Sequence, residues 1–262
     1  MKTAFLILGA QRSGTSVTSH LLSKFGINFG DEKRFLQDKH NPTFFELKWV
    51  NQYNDRLIRS LGYQYTDFFL PIETDYDNTD TLEIATQLPD LLHQEWQDEP
   101  TIGIKDPRIS LTFPIWQRAL LAKGYSLKII LVFRRPADFL RSNQKLFHNW
   151  AGWDDRKHLR FWLQLNLSAI YFARNYPVYL VSYEDVMEQP QVVAKRFADC
   201  FNLDKNRVEV AVSVVDPAYH HHNRSTQTGY PEIDNYYDRL AAHNLSAADY
   251  LSYRHHALNG AA

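Results

Sequence analysis

The stretch FLILGAQRSGTSVTSHLL, residues 5–22, admits few folds. Residues 4–8 form a short apolar run that Gly9, tolerant of positive φ, brings to a stop, which predicts a buried strand. Across 14–25 the apolar residues Val17, Leu21, Leu22 and Phe25 recur at helical spacing with no proline between them. A strand, a glycine turn and a helix in succession leave unpaired amides and the positive end of a helix dipole beside the turn. That is a place for a phosphate or sulfate group, and no side chain is needed to create it.

A loop built for nucleoside triphosphates asks for Gly, four residues, Gly, Lys and then Ser or Thr. Gly9 and Gly14 keep the spacing, but Thr15 stands at the lysine position and the nearest cation, Arg12, lies inside the loop. Without that lysine a γ-phosphate loses its main counter-charge. The loop is therefore read as holding something shorter than a triphosphate tail, and a 5′-phosphosulfate fits.

With 262 residues, 44% of them apolar, the chain can bury its own core, and residues 1–262 are read as one domain. Three further apolar runs at 101–104, 127–133 and 178–181 alternate with helical pattern at 109–121 and 156–174. Alternation of this kind predicts an α/β fold of the P-loop type, with a central parallel sheet and helices on both faces. Residues 67–80, rich in Asp, Thr and Tyr, read as a surface loop, and the tail beyond 216 shows only weak helical signal near 236–242.

A net charge of −1 supplies no broad field for nucleic acid, so the partner is expected to be small or locally docked. A single cysteine, Cys200, suits a reducing compartment, and packing is its expected role. No apolar run approaches the roughly 20 residues that cross a bilayer. The opening MKTAFLILGA has the look of a short signal peptide, but its cleavage would remove the strand that carries the loop, so a soluble cytoplasmic protein is expected.

In a parallel sheet, ligands bind where strands end at their carboxyl edge. After the second strand comes Lys-Asp-Pro-Arg, 105–108, in which Asp106 is expected to N-cap the next helix with Pro107 at its first position, leaving Lys105 as a free cation. After the third strand come Arg134 and Arg135, with Pro136 opening a helix, where an NTPase would place a magnesium-binding Asp. A ligand with a 5′-phosphosulfate and a separate 3′-phosphate needs an amide cradle for one end and an arginine fork for the other. Gln11, Arg12, Ser13, Gly14, Thr15 and Ser16 would supply the cradle; Arg134, assisted by Ser142, would supply the fork. The plain alternative for Arg134 is a surface salt bridge.

With these motifs the chain resembles the sulfotransferases that use 3′-phosphoadenosine 5′-phosphosulfate (PAPS), in particular the bacterial branch similar to protein-tyrosine and glycan sulfotransferases. The family's Arg-Ser-Gly-Thr-Ser loop matches Arg12 to Ser16, and its 3′-phosphate motif matches Arg134, Pro136 and Ser142 in order and spacing. Its Lys-Asp-Pro segment matches Lys105, Asp106 and Pro107, and its Tyr-Glu-Asp matches Tyr183, Glu184 and Asp185. The resemblance implies PAPS as co-substrate without a metal, in-line transfer to a hydroxyl or amine, and cations at the bridging oxygen, for which Arg12 and Lys105 are the candidates. Pairing of Lys105 with a nearby carboxylate is the structural alternative.

Many relatives carry Asn-Pro and then Glu, which here makes Asn41 and Pro42 a helix start and places Glu46 in its first turns, among aromatic residues that would desolvate it. Glu46 is the expected base and His40 the runner-up; a dipole role for Glu46 is the alternative. The resemblance also offers Arg224 as cover for the 3′-phosphate, although the basic-glycine pattern of relatives is missing there. His220, His221 and His222 are consecutive and point in different directions, so no metal site is expected from them. The acceptor is read as a small molecule or glycan: a carbohydrate, or another cell-surface or secondary-metabolite precursor. The aromatic stretches 44–53, 63–69 and 147–153 are available to hold it. Two rival classes remain: a nucleoside or sugar kinase, which would need magnesium, and a noncatalytic adenine-nucleotide binding module, which would have no use for Glu46 or Lys105.

Overall fold

The computed structural model describes residues 2–37, 44–146, 152–216 and 227–258. The elements run β1 (Lys2–Leu8), α1 (Thr15–Lys24), α2 (Lys48–Ser60), α3 (Thr79–Ala85), α4 (Leu88–Trp96), β2 (Thr101–Lys105), α5 (Ile109–Ala122), β3 (Tyr125–Phe133) and α6 (Pro136–Leu146). They continue with α7 (Asp155–Phe172), β4 (Val178–Ser182), α8 (Tyr183–Glu188), α9 (Pro190–Phe201), α10 (Val208–Val212), α11 (Pro231–Ala241) and α12 (Ala247–Leu258). The four strands form one parallel sheet in the order β2-β1-β3-β4. Successive residues of a strand face opposite sides of a sheet, and every residue from Ala4 to Leu8 is buried, so both faces of β1 are covered. Helices α1, α5 and α7 pack on the sheet, as an apolar run without alternation requires.

The chain steps from β1 to β2 on one side and then returns past β1 to β3 on the other. Such a reversal opens a crevice at the carboxyl ends of the strands. Gly9, Lys105, Arg134 and Tyr183 all follow directly on, or end, strands at that edge. Gly9 has φ 124°, and a Cβ there would lie 2.1 Å from the Val132 carbonyl oxygen, so the exit of β1 tolerates only glycine.

Several expectations change. Residues 67–80 do not lie loosely on the surface: Phe69 and Leu70 are buried, and Tyr76, in a 3₁₀ turn at Glu73–Asp77, is fully enclosed and donates its hydroxyl to the Leu111 carbonyl. The Asp and Thr residues around it hide this from a composition reading. The tail carries two full helices, α11 and α12. Its buried anchors include Tyr250 and Tyr253, whose hydroxyls lower the hydropathy while the rings fill the core. Tyr250 donates to the Pro71 carbonyl, which fastens α12 over the 67–80 segment. Cys200 is exposed on α9 and does not pack. Helix α5 is capped by Arg108; Asp106 closes the turn before it, its Oδ1 accepting from Arg108 N at 2.7 Å.

Candidate active site

Helix α1 begins at Thr15 with Gly14 as its N-cap, and no side chain caps it. By helix geometry the first-turn amides then lack acceptors and point out of the helix end. The turn that feeds them is tight, with the Ser13 amide donating to the Ala10 carbonyl at 3.2 Å and the Gly9 amide to Ser110 Oγ at 3.2 Å. Arg12 stands in the left-handed region at φ 65°, a conformation held by its neighbours. Its Nε donates to Ser142 Oγ at 3.1 Å, and its carbonyl accepts from Arg134 Nη1 at 3.1 Å.

Arg134 and Ser142 thus meet at Arg12, approaching it from β3 and from α6. Arg134 is buried at 7% exposure, stacked 4.2 Å over the Tyr183 ring, and makes no ion pair among the described residues. It is therefore no surface salt bridge. The neighbouring Arg135 takes that role, pairing with Glu184 at 3.2 Å and Asp138 at 3.1 Å. Arg134 Nε and Ser13 Oγ are buried donors with no acceptor among the described residues. Tyr183 also explains Gly14: at φ 92°, a Cβ on that residue would lie 2.6 Å from the Tyr183 ring. Gly14→Ala is expected to lose about 1–2 kcal/mol of stability, the left-handed penalty of a side chain, which a denaturant melt reads directly.

Lys105 is not a free cation. It is buried at 4% exposure, and its Nζ donates to Glu46 Oε1, to the Phe44 carbonyl at 3.1 Å and to Ser16 Oγ at 3.3 Å. The residue read as leaving-group cation and the residue read as base are partners in one buried ion pair. Glu46 does not sit in a helix: α2 starts at Lys48, and Glu46 lies in the extended entry to it. Its direction is set by Phe45, whose backbone is in the left-handed region at φ 55° and whose ring is held among Phe29, Phe35 and His20. That bend turns the Phe44 carbonyl and the Glu46 carboxylate onto the same ammonium.

Beside the pair lies Asp106, fully buried, with Oδ2 lacking a partner among the described residues. Burial pushes its carboxyl up to about 6, with Arg108 pulling the other way and Glu46 adding to the rise. A carboxyl raised from its ordinary 3.8 holds a proton in the native state that the unfolded chain has released. The stability this gives is full below about pH 4 and lost as pH rises through 6, by up to about 3 kcal/mol. Asp106→Asn is expected to lack that decline when urea melts are compared between pH 4 and 7; parallel profiles for the two proteins would contradict it.

Gln11 is clamped from two sides, accepting from the Tyr65 hydroxyl at 2.6 Å and donating to Asn143 Oδ1 at 3.4 Å. Tyr65 is marked in the sequence only by its place in an aromatic stretch, and Asn143 by nothing. Arg108 lies 4.0 Å over the Tyr65 ring and donates to Asp55 Oδ1 at 2.6 Å, completing a charged wall beside the pair. His40, Asn41, Pro42, the 220–222 histidines and Arg224 lie outside the described residues. Among the described residues no three His, Cys, Asp or Glu side chains group as metal ligands, and no helix is long and apolar enough to cross a membrane.

Residues 2–229 match the family model described as the sulfotransferase domain. The chain belongs to the sulfotransferase-domain family. No curated protein matches it. Solved structures of sulfotransferase domains are similar to it. One is the sulfotransferase domain from the Synechococcus PCC 7002 olefin synthase, at 16% identity and TM-score 0.51, covering 91% of this chain and 94% of that one. Another is the sulfotransferase domain from the curacin biosynthetic pathway, at 17% identity and TM-score 0.50, covering 93% and 97%. At these identities the likeness speaks for the fold: this sulfotransferase domain has the α/β architecture of both.

Proposed function

We propose that this sulfotransferase moves a sulfuryl group from PAPS to a hydroxyl or amine of a small-molecule or glycan acceptor, without a metal. The observation that carries the reading is the pairing of an uncapped helix end at Gly14, followed by Thr15 where a triphosphate loop has its lysine, with two buried donors beside it, Ser13 Oγ and Arg134 Nε, that have no acceptor among the described residues. Buried donors are normally satisfied, and phosphate oxygens would satisfy these. In this reading Gln11 to Ser16 hold the 5′-phosphosulfate end, and Arg134 with Ser142 reads the 3′-phosphate. Arg224 would cover that phosphate from the segment after Asp216.

The acceptor oxygen attacks sulfur; the bond from sulfur to the bridging oxygen breaks, and its electron pair leaves with adenosine 3′,5′-bisphosphate. Lys105 and Arg12 meet the charge that grows on the bridging oxygen, which is where preorganised cations lower a barrier most. Glu46 takes the acceptor's proton, with His40 the alternative acceptor of it. As an ion pair Glu46 and Lys105 already carry the charges these two duties need. The lone thiol of Cys200 suits a reducing cytoplasm.

Transfer of label from [³⁵S]PAPS to an acceptor panel of simple sugars, phenols and amines, in excess EDTA, tests the reading. Labelled product in EDTA is expected; phosphoryl transfer from ATP that requires magnesium would overturn it in favour of a kinase.

A further inference from the structure

A cavity of about 300 Å³ lies at the start of α7, with Thr66 and Phe68 among the residues that line it. Arg156, Lys157 and Arg160 stand on its wall against one carboxylate, Asp154, which is occupied as the helix N-cap, accepting from Lys157 N at 2.8 Å. Among the described residues none of the three cations makes an ion pair. Aromatic rings fix two of them in place: Lys157 Nζ is 5.1 Å from the Trp153 ring centre, and the Arg160 guanidinium is 4.1 Å over Phe68. Arg160 Nε is buried and has no acceptor among the described residues. All three also sit in the first two turns of an 18-residue helix, where the backbone dipole disfavours positive charge. Cations gathered against the dipole and lining a cavity, with no ion-pair partner among the described residues although Arg160 shares a hydrogen bond with Tyr253, are relieved by an anion.

The cavity is joined to the loop by two short routes that converge on Gln11. Phe161, on its wall, packs 5.1 Å from the Tyr65 ring, and Tyr65 donates to Gln11. Trp153 lies 4.9 Å from His158, whose Nδ1 is 2.9 Å from Asn143 Nδ2, and Asn143 accepts from Gln11. Both routes run through packed side chains, Phe161 and Tyr65 on one and Trp153, His158 and Asn143 on the other, so the cavity wall and the loop are held by the same groups.

We infer that this cavity binds the carboxylate-bearing ring of an acidic sugar acceptor, with Arg156, Lys157 and Arg160 receiving its charge. The acceptor role rests on the sulfotransferase reading; the binding preference does not. The test is calorimetric titration of the full chain with p-nitrophenyl β-D-glucuronide and its neutral counterpart, p-nitrophenyl β-D-glucoside, with and without adenosine 3′,5′-bisphosphate. The glucuronide is expected to bind on the order of tenfold tighter, and the double variant Arg156→Gln/Lys157→Gln, which changes only exposed side chains, is expected to bring the two within about twofold at unchanged melting temperature. Equal affinities, no binding of either glycoside, or a preference that survives the double variant would overturn the inference. Failure of the bisphosphate to bind beside an intact glucuronide preference would instead count against the loop reading alone.

Discussion

Lys105→Met is expected to lower kcat by roughly 10²–10³-fold while leaving the affinity for adenosine 3′,5′-bisphosphate within a few-fold. A cation that meets developing charge on the bridging oxygen acts mainly in the transition state, so its removal shows in turnover and not in binding of the product nucleotide. The substitution has a second effect. Glu46 is buried with Lys105 as its ion-pair partner, and leaving that carboxylate uncompensated costs about 3–5 kcal/mol of stability. The double variant Glu46→Gln/Lys105→Met removes the buried charge together with its partner and is expected to regain most of the lost melting temperature while staying without turnover, since it lacks both the cation and the base. Recovery of turnover along with stability would contradict both the Lys105 and the Glu46 assignments and leave the pair a structural one.

Arg134→Gln is expected to weaken adenosine 3′,5′-bisphosphate binding by roughly ten- to a hundredfold, the loss of one or two charge-assisted hydrogen bonds to phosphate. The control is adenosine 5′-phosphate, which lacks the 3′-phosphate and is expected to lose far less. Because Arg134 Nη1 also holds the Arg12 carbonyl, an equal loss for both nucleotides would show that Arg134 acts by shaping the loop and does not read the 3′-phosphate. Arg134→Lys keeps the charge and surrenders the fork, so it is expected to fall between the two.

What was legible in the sequence follows from what each pattern reports. The four strands stood out because two-faced burial writes them as unbroken apolar runs, such as residues 4–8. The loop stood out because Gly9 and Gly14 stand at positive φ, a demand of the local backbone, although the clashes with Val132 and Tyr183 that also require glycine there come from the tertiary fold. Helix α12 did not, because Tyr250 and Tyr253 do in it the work that leucine would announce. The start of α2 was misplaced because Asn-Pro is a local signal, while the path that the chain takes into the helix is set by the packing of the Phe45 ring. Most of all, no local pattern shows that Glu46 and Lys105 are partners across 59 residues, or Gln11 and Tyr65 across 54. Those meetings belong to the tertiary fold.

The central claim is that the loop from Gln11 to Ser16 holds a 5′-phosphate in the absence of metal while Arg134 reads a 3′-phosphate. Calorimetric titration with adenosine 3′,5′-bisphosphate, ADP and ATP, with magnesium chelated throughout, tests it most directly. The bisphosphate is expected to bind at least tenfold tighter than either of the others, about one charged hydrogen bond's worth. A preference for ATP that emerges when magnesium is restored would contradict the claim and return the chain to phosphoryl-transfer chemistry.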